Sequence, residues 1–153
     1  MNEPLRERWA ECSMAAALDA MGERWSFLIL RGAFNGVRHF EAFQAELGIA
    51  RNILSDRLGR LVDHDILQRN PMAADRRKVE YRLTDKGRAL LPTMIALRQW
   101  GERWATGVPA SPVLVDARDR RPIAPVTVQA HDGRPLEKRD LLWLLPEDVA
   151  GGD

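Results

Sequence analysis

The chain has 153 residues, 45% of them hydrophobic and 29% charged, which suits one folded domain with an appendage and is ordinary for a soluble globular protein. No apolar run approaches the ~20 residues of a membrane span, and the opening MNEPLRERWAEC lacks the apolar stretch of a secretory signal. The one cysteine, Cys12, excludes an intrachain disulfide and a cysteine-built zinc site, and His39, His64 and His131 lack ligand spacing. The expectation is a cytoplasmic protein with no membrane contact, no metal and no cofactor.

A net charge of +1 argues weakly against nucleic acid, but the charge is uneven. Between Arg69 and Arg88 seven basic residues (Arg69, Arg76, Arg77, Lys78, Arg82, Lys86, Arg88) face three acids (Asp75, Glu80, Asp85). That is +4, leaving −3 on the rest. A local positive edge of this kind suits a phosphate-facing surface.

Taken in order, residues 1–12 read as a polar N-terminal arm. Ser13 is a plausible N-cap, Met14, Ala17, Leu18 and Met21 fall on one helical face, and Gly22 is placed to end the helix. Trp25 to Phe34 is apolar nearly all round; a strand competes over FLIL, but length and the Asn35-Gly36 stop favour a buried helix. Val37-Arg38-His39 reads as a short edge strand of a small sheet. Phe40 to Leu47 is a short helix and Gly48-Ile49 a turn. Ala50 to Asp63 is the next helix, with Leu54, Leu58 and Leu61 inward and Arg51, Asn52, Ser55, Asp56 and Gly59 outward; Arg57 and Arg60 flank the apolar stripe.

Ile66–Met72 and Val79–Leu83 read as two strands joined by a tip that carries Arg76, Arg77 and Lys78. Thr84 caps a helix expected to run to about Ala105, bent at Pro92. Its stripe, including Met94, Leu97, Trp100 and Trp104, is wider than a small domain covers alone, so a second copy of the same helix is the natural cover. After a GVPASP linker, Val113–Val115 and Val126–Val128 are β-prone, residues 131–134 read as a turn, and Leu141–Leu145 is a further apolar run. From Ala110 onward six basic residues meet eight acids, so this tail is not a DNA arm.

Helix, turn, polar-faced helix and basic hairpin are the parts of a winged helix-turn-helix, in which one helix enters a DNA major groove and the hairpin holds phosphates. Asn suits adenine edges and Arg suits guanine or phosphate. The blander account is an amphipathic helix pair with a merely solvated face; the basic hairpin that follows at once weighs against it. No GxSxG, HExxH, GxGxxG or GxxxxGK[ST] motif is present, so an enzyme is not expected. Cys12 has two readings: a small buried residue, or a thiol activated by a helix N-terminus. The five tryptophans read as core and interface anchors before they read as a ligand pocket.

The run Cys12, Ala17-Leu18-Asp19, Gly22-Glu23-Arg24-Trp25 and Leu28-Ile29-Leu30-Arg31 resembles the N-terminal signature of the HxlR-type regulators, bacterial winged helix-turn-helix proteins. Arg38-His39-Phe40, Leu54-Ser55-Asp56-Arg57-Leu58, Val79-Glu80-Tyr81, Leu83-Thr84 and Gly87 extend the likeness over about residues 12–105. The resemblance implies a homodimer paired through its first and last helices, with Leu18, Met94, Leu97, Trp100 and Trp104 at the interface. It implies double-stranded DNA as partner, a palindromic operator, a recognition helix at 50–63 and a wing at 69–83. Several members sense oxidants or electrophiles through a cysteine near the N-terminus, where Cys12 stands; with no second cysteine, any disulfide is intersubunit or mixed with a small thiol. The tail resembles the extensions of some longer members in which cysteine pairs occur; here Asp132-Gly133 stands where a cysteine-glycine would, so no metal knuckle remains.

The sequence therefore predicts an α+β, mostly α protein. Residues 1–107 form a winged helix-turn-helix DNA-binding domain with a long C-terminal dimerisation helix, and 108–153 a small β-prone extension. Arg51, Asn52 and Ser55 are expected to read bases. Arg57, Arg60, Arg76, Arg77 and Lys78 hold phosphate or orient the helix, and Cys12 is a candidate redox sensor. The rivals are a dimeric winged-helix module that binds protein and a regulator controlled by a non-covalent small-molecule ligand.

Overall fold

The computed structural model describes residues 13–73, 75, 78–108 and 111–149; Cys12, Arg76 and Arg77 lie outside them. The described residues divide into two compact units, one ending at Arg98 and one beginning at Gln99.

The first unit is helical with one hairpin. Helix α1 (Ser13–Met21) buries only Met21 and ends at Gly22, whose φ of +78° suits glycine and whose N–H reaches Leu18 O at 2.7 Å. Helix α2 (Arg24–Phe34) is the expected core helix: Ser26, Ile29, Leu30 and Gly32 are buried, and Asn35-Gly36 closes it. Gly32 has no side chain because α3 lies against it; a Cβ there would meet the Phe43 ring at 3.1 Å. Helix α3 (Phe40–Leu47) ends at Gly48 in the left-handed region, Ile49 plugs the turn, and α4 (Arg51–Asp63) follows with Leu54, Leu58 and Leu61 wholly buried. The interior is one apolar cluster that includes Ile29, Leu30, Phe43, Ile49, the three α4 leucines, Ile66 and Leu67.

Strands β1 (Leu67–Pro71) and β2 (Val79–Leu83) form an antiparallel hairpin in the register Leu67↔Leu83 to Pro71↔Val79. The third strand expected at Val37–His39 is not formed among the described residues. Val37 N–H is spent on Gly32 O and His39 O on Phe43 N, so one rung remains, Tyr81 N–H to Arg38 O at 2.7 Å. Thr84 caps as expected, accepting Gly87 N–H at 3.0 Å and donating to Asp65 O at 2.6 Å.

The long helix after Thr84 is broken, not bent. Helix α5 (Asp85–Arg88) stops, two residues turn, and α6 (Leu91–Trp100) begins. Pro92 has no N–H to donate and its ring excludes the carbonyl four residues back, so it fits the first turn of a new helix, where the missing donor costs nothing. From Gly101 to Thr106 the helix widens to π geometry and ends at Gly107, φ +67°.

In the second unit the Gln99 side chain accepts Val126 N–H at 2.8 Å and donates to Ala124 O at 3.2 Å. The β-prone runs yield only isolated bridges, Val115↔Pro122 and Gln129↔Pro135. Pro122, Pro125 and Pro135 lack the N–H that a longer ladder needs. The turn at 131–134 forms, with Gly133 at φ +84°. No helix of the described residues is long and apolar enough to cross a membrane.

A Cβ on Gly87 would lie 2.2 Å from Ile66 O, a backbone atom that also accepts Thr84 N–H. Gly87→Ala is expected to lower stability by about 1–3 kcal/mol through overpacking, read as a lower urea midpoint at unchanged slope.

Candidate nucleic-acid interface

Burial of Leu54, Leu58 and Leu61 turns the opposite side of α4 outward. Arg51, Asn52, Ser55, Asp56 and Gly59 are exposed, as their spacing predicts. Nothing lies within 4 Å of a Cβ built on Gly59, so this face admits close approach of a second surface. Ile53 shares the exposure at 36%, which the leucine periodicity alone does not announce.

The basic residues separate into those bound within the protein and those left outside. Arg57 is only 23% exposed at its side chain; it pairs with Glu23 just before α2, and with Asp56 Oδ2 at 2.8 Å. Arg60 donates twice to Asp19 O, from Nε at 3.2 Å and Nη2 at 2.6 Å. That carbonyl lies in the last turn of α1, where a cation is favoured. Lys86 donates to His64 O at the end of α4 at 2.8 Å, and Arg88 to Leu83 O at 2.6 Å. Arg82 holds Glu80 Oε2 at 2.7 Å. By contrast, the side chains of Arg51, Arg69 and Lys78 make no hydrogen bond or ion pair with a described residue, and Arg51 instead lies over the Phe40 ring, 4.7 Å from its centroid. The engagement of Arg57 by Glu23 and of Arg60 by Asp19 is not announced by the sequence, because the partners stand 34 and 41 residues away.

Between α3, α4 and the hairpin lies an open groove of about 630 Å³, lined by His39, Phe40, Glu41, Arg51, Ser55, Met72, Lys78, Val79 and Tyr81. His39 Nδ1 is 3.3 Å from Val79 O and its Nε2 is 3.9 Å from Glu80 Oε1, so the histidine ties the start of α3 to β2. The Arg82 hydrogen bond holds the Glu80 carboxyl below its ordinary value of 4.5; partial burial opposes this, and the charges of Arg82, His39 and Arg38 reinforce it. No group of three or more possible metal ligands occurs among the described residues.

The expected pairing residues differ in exposure. Leu18 is 52%, Leu97 50%, Trp100 60% and Trp104 65% exposed, while Met94 packs partly onto the core of the first unit.

A helix, a glycine turn, a second helix with a polar outward face and a two-stranded wing on one shared core are the architecture of a winged helix-turn-helix transcription regulator. The chain belongs to the HxlR-like helix-turn-helix family, whose pattern matches residues 20–108. It is 41% identical over 109 residues to the HTH-type transcriptional regulator Rv3095 of Mycobacterium tuberculosis, itself uncharacterized, covering 71% of this chain and 69% of that one. The solved structure of PA1607 is similar over 91% of this chain and 98% of its own, at 41% identity and TM-score 0.82. The redox regulator HypR in its reduced form is similar over 62% of this chain and 95% of its own, at 26% identity and TM-score 0.55. The chain is accordingly a helix-turn-helix transcriptional regulator.

For Glu80 the depressed carboxyl contributes stability that is complete above the unfolded value near 4.5 and is lost as the pH falls through the lower folded value. A carbon-detected NMR titration is expected to place the Glu80 carboxyl midpoint below its ordinary value of 4.5. In Arg82→Gln it should rise toward 4.5; an unmoved midpoint would remove Arg82 as the cause.

Proposed function

We propose that the protein is a homodimeric regulator that reads a two-fold operator, with α4 in the major groove and the hairpin on the flanking backbone. The observation that carries this reading is the side of α4 left outward by its buried leucines, largely polar and adjacent to a wing whose Lys78 side chain has no acceptor among the described residues. Asn52 and Ser55 meet base edges, Arg51 meets guanine or phosphate, and Arg76, Arg77 and Lys78 hold phosphate. For Arg57 and Arg60, whose guanidinium groups are engaged by Glu23 and Asp19, the supported role is to orient the helix.

Pairing is supported by the large exposed apolar side chains Leu18, Leu97, Trp100 and Trp104. Met94 then borders the interface and does not form its centre. Pairing would set the two reading helices about 34 Å apart for successive major grooves on one side of DNA. The functional division in this reading remains 1–107 for DNA binding and pairing and 108–153 as an extension, although the compact unit that carries α4 and the hairpin ends at Arg98.

Replacing Arg76, Arg77 and Lys78 together by Ala is expected to weaken binding to DNA from upstream of the protein's own gene. With about six fewer phosphates neutralised per dimer, the plot of log K against log salt should become shallower by about five. Unchanged affinity and slope would withdraw the wing from the interface.

The likeness to the redox regulator HypR favours a second layer, signal sensing through Cys12. Peroxide or a quinone is then expected to release operator DNA from the native protein but not from Cys12→Ser. Equal release from both would take the thiol out of the mechanism.

A further inference from the structure

The groove between α3, α4 and the wing gathers cations that nothing else in the described protein uses. Arg51 stands at the first position of α4 and Lys78 immediately before β2, both line the groove, and neither side chain has an acceptor among the described residues. The other basic residues of α4, Arg57 and Arg60, and Arg82 of the hairpin are all held by internal oxygens. The Arg51 guanidinium rests on the Phe40 ring, which pre-orients it toward the groove at little entropic cost. Ser55 and Tyr81 line the same space. Neither hydroxyl has a hydrogen bond to a described residue, and both remain available as neutral donors. One carboxylate, Glu41, also lines it, so two cations face one anion.

We propose that this groove seats a single phosphodiester of the DNA backbone, gripped by Arg51 from the reading helix and Lys78 from the wing. The proposal rests on the DNA-binding reading and makes it more specific. The groove is open and mixed in polarity, and at about 630 Å³ it takes a phosphate with its flanking sugars. Because one ligand joins two elements, the seat fixes the register of α4 along the DNA before any base is read. Arg51 is in this account a backbone contact and specifies no base.

The test uses the full chain and a duplex it binds, with phosphodiesters replaced one at a time by uncharged methylphosphonate. Affinity is followed by fluorescence anisotropy at fixed salt. One position per half-site is expected to lose about tenfold, the scale of one charge-assisted contact. Arg51→Gln and Lys78→Met should each weaken binding to the native duplex and abolish the extra penalty at that same position, leaving the penalties elsewhere intact. Both residues are exposed, so thermal midpoints should stay unchanged; if Arg51→Gln fails to fold, Lys78→Met carries the test alone.

Binding of the native duplex with no position whose penalty responds to either variant would overturn the seat and leave the DNA-binding reading standing. Failure to bind any duplex would overturn both. Inorganic phosphate, added at constant ionic strength, is expected not to compete; competition dependent on Arg51 would make the groove a free-anion site and overturn the backbone assignment.

Discussion

The row Leu54, Leu58 and Leu61 is the constraint on which the interface depends. All three side chains are wholly buried against α2, α3 and the start of the hairpin. Burial of each is worth about 1.5–3 kcal/mol, and the three act together, which no one polar contact on the opposite side can match. Rotation of α4 about its axis is therefore settled by the core. With 3.6 residues per turn, inward leucines at these positions send Arg51, Asn52, Ser55, Asp56 and Gly59 outward. Ile66, just before the hairpin, and Leu67, its first residue, belong to the same cluster, so α4 and the hairpin are fixed to one another by one set of apolar contacts.

Rotation is not the only freedom of a helix. Tilt and sliding of α4 are opposed by weaker bonds, the Arg57–Glu23 pair and the two hydrogen bonds from Arg60 to Asp19 O. A hydrogen bond to a charged group contributes about 1.5–3 kcal/mol, and an exposed ion pair about 0–1; Arg57, mostly covered, falls between. These bonds meet the protein at the α1–α2 corner, where Gly22 takes a positive φ. Ser26 Oγ and Arg57 Nε are buried there without a partner among the described residues. A half-satisfied polar contact yields before a close-packed apolar one. Polar contacts therefore join α1 and α4 at this corner, apart from the leucine row.

What the sequence makes legible follows the range of the forces involved. The helices over 24–34, 40–47 and 51–63 follow from apolar periodicity and glycine stops, which are local. Alternation and a basic tip announce the hairpin over 67–83. The departures come from hydrogen bonds and packing that join distant parts of the chain. Val37–His39 has the length of a strand, but its N–H and C=O groups are taken by α2 and α3. Pro92 signals a disturbance, and whether that becomes a bend or a break depends on the turn at Ala89-Leu90. Val126–Val128 has strand composition, yet prolines on the facing segments deny it a ladder. The same holds for the interface. Arg51, Asn52 and Ser55 are legible as an outward set, while the diversion of Arg57 and Arg60 to Glu23 and Asp19 is not. His39 and Tyr81 carry no signal until α3 and β2 are brought together.

A charge count over residues 69–88 suggests a patch of +4, but cations held by internal oxygens do not present themselves to a phosphate in the same way as free ones. Arg82 is occupied by Glu80, Lys86 by His64 O at the end of α4, and Arg88 by Leu83 O and Asp85. Their charge still adds to the field, which falls off over about 10 Å in ordinary salt, but their donors are spent inside the protein: Arg82 within β2, Lys86 between α5 and the end of α4, Arg88 between α5 and β2. Among the described residues the free cationic donors of α4 and the hairpin are Arg51, Arg69 and Lys78, from three different elements or their edges. Among the described basic residues from α4 to α5, Arg57, Arg60, Arg82, Lys86 and Arg88 are held by internal oxygens, while the side chains of Arg51, Arg69 and Lys78 are not, so a net charge of +1 says little about which cations face outward. Arg51 and Lys78 come to line one groove because the leucine row and Ile66-Leu67 hold α4 beside the hairpin in one core.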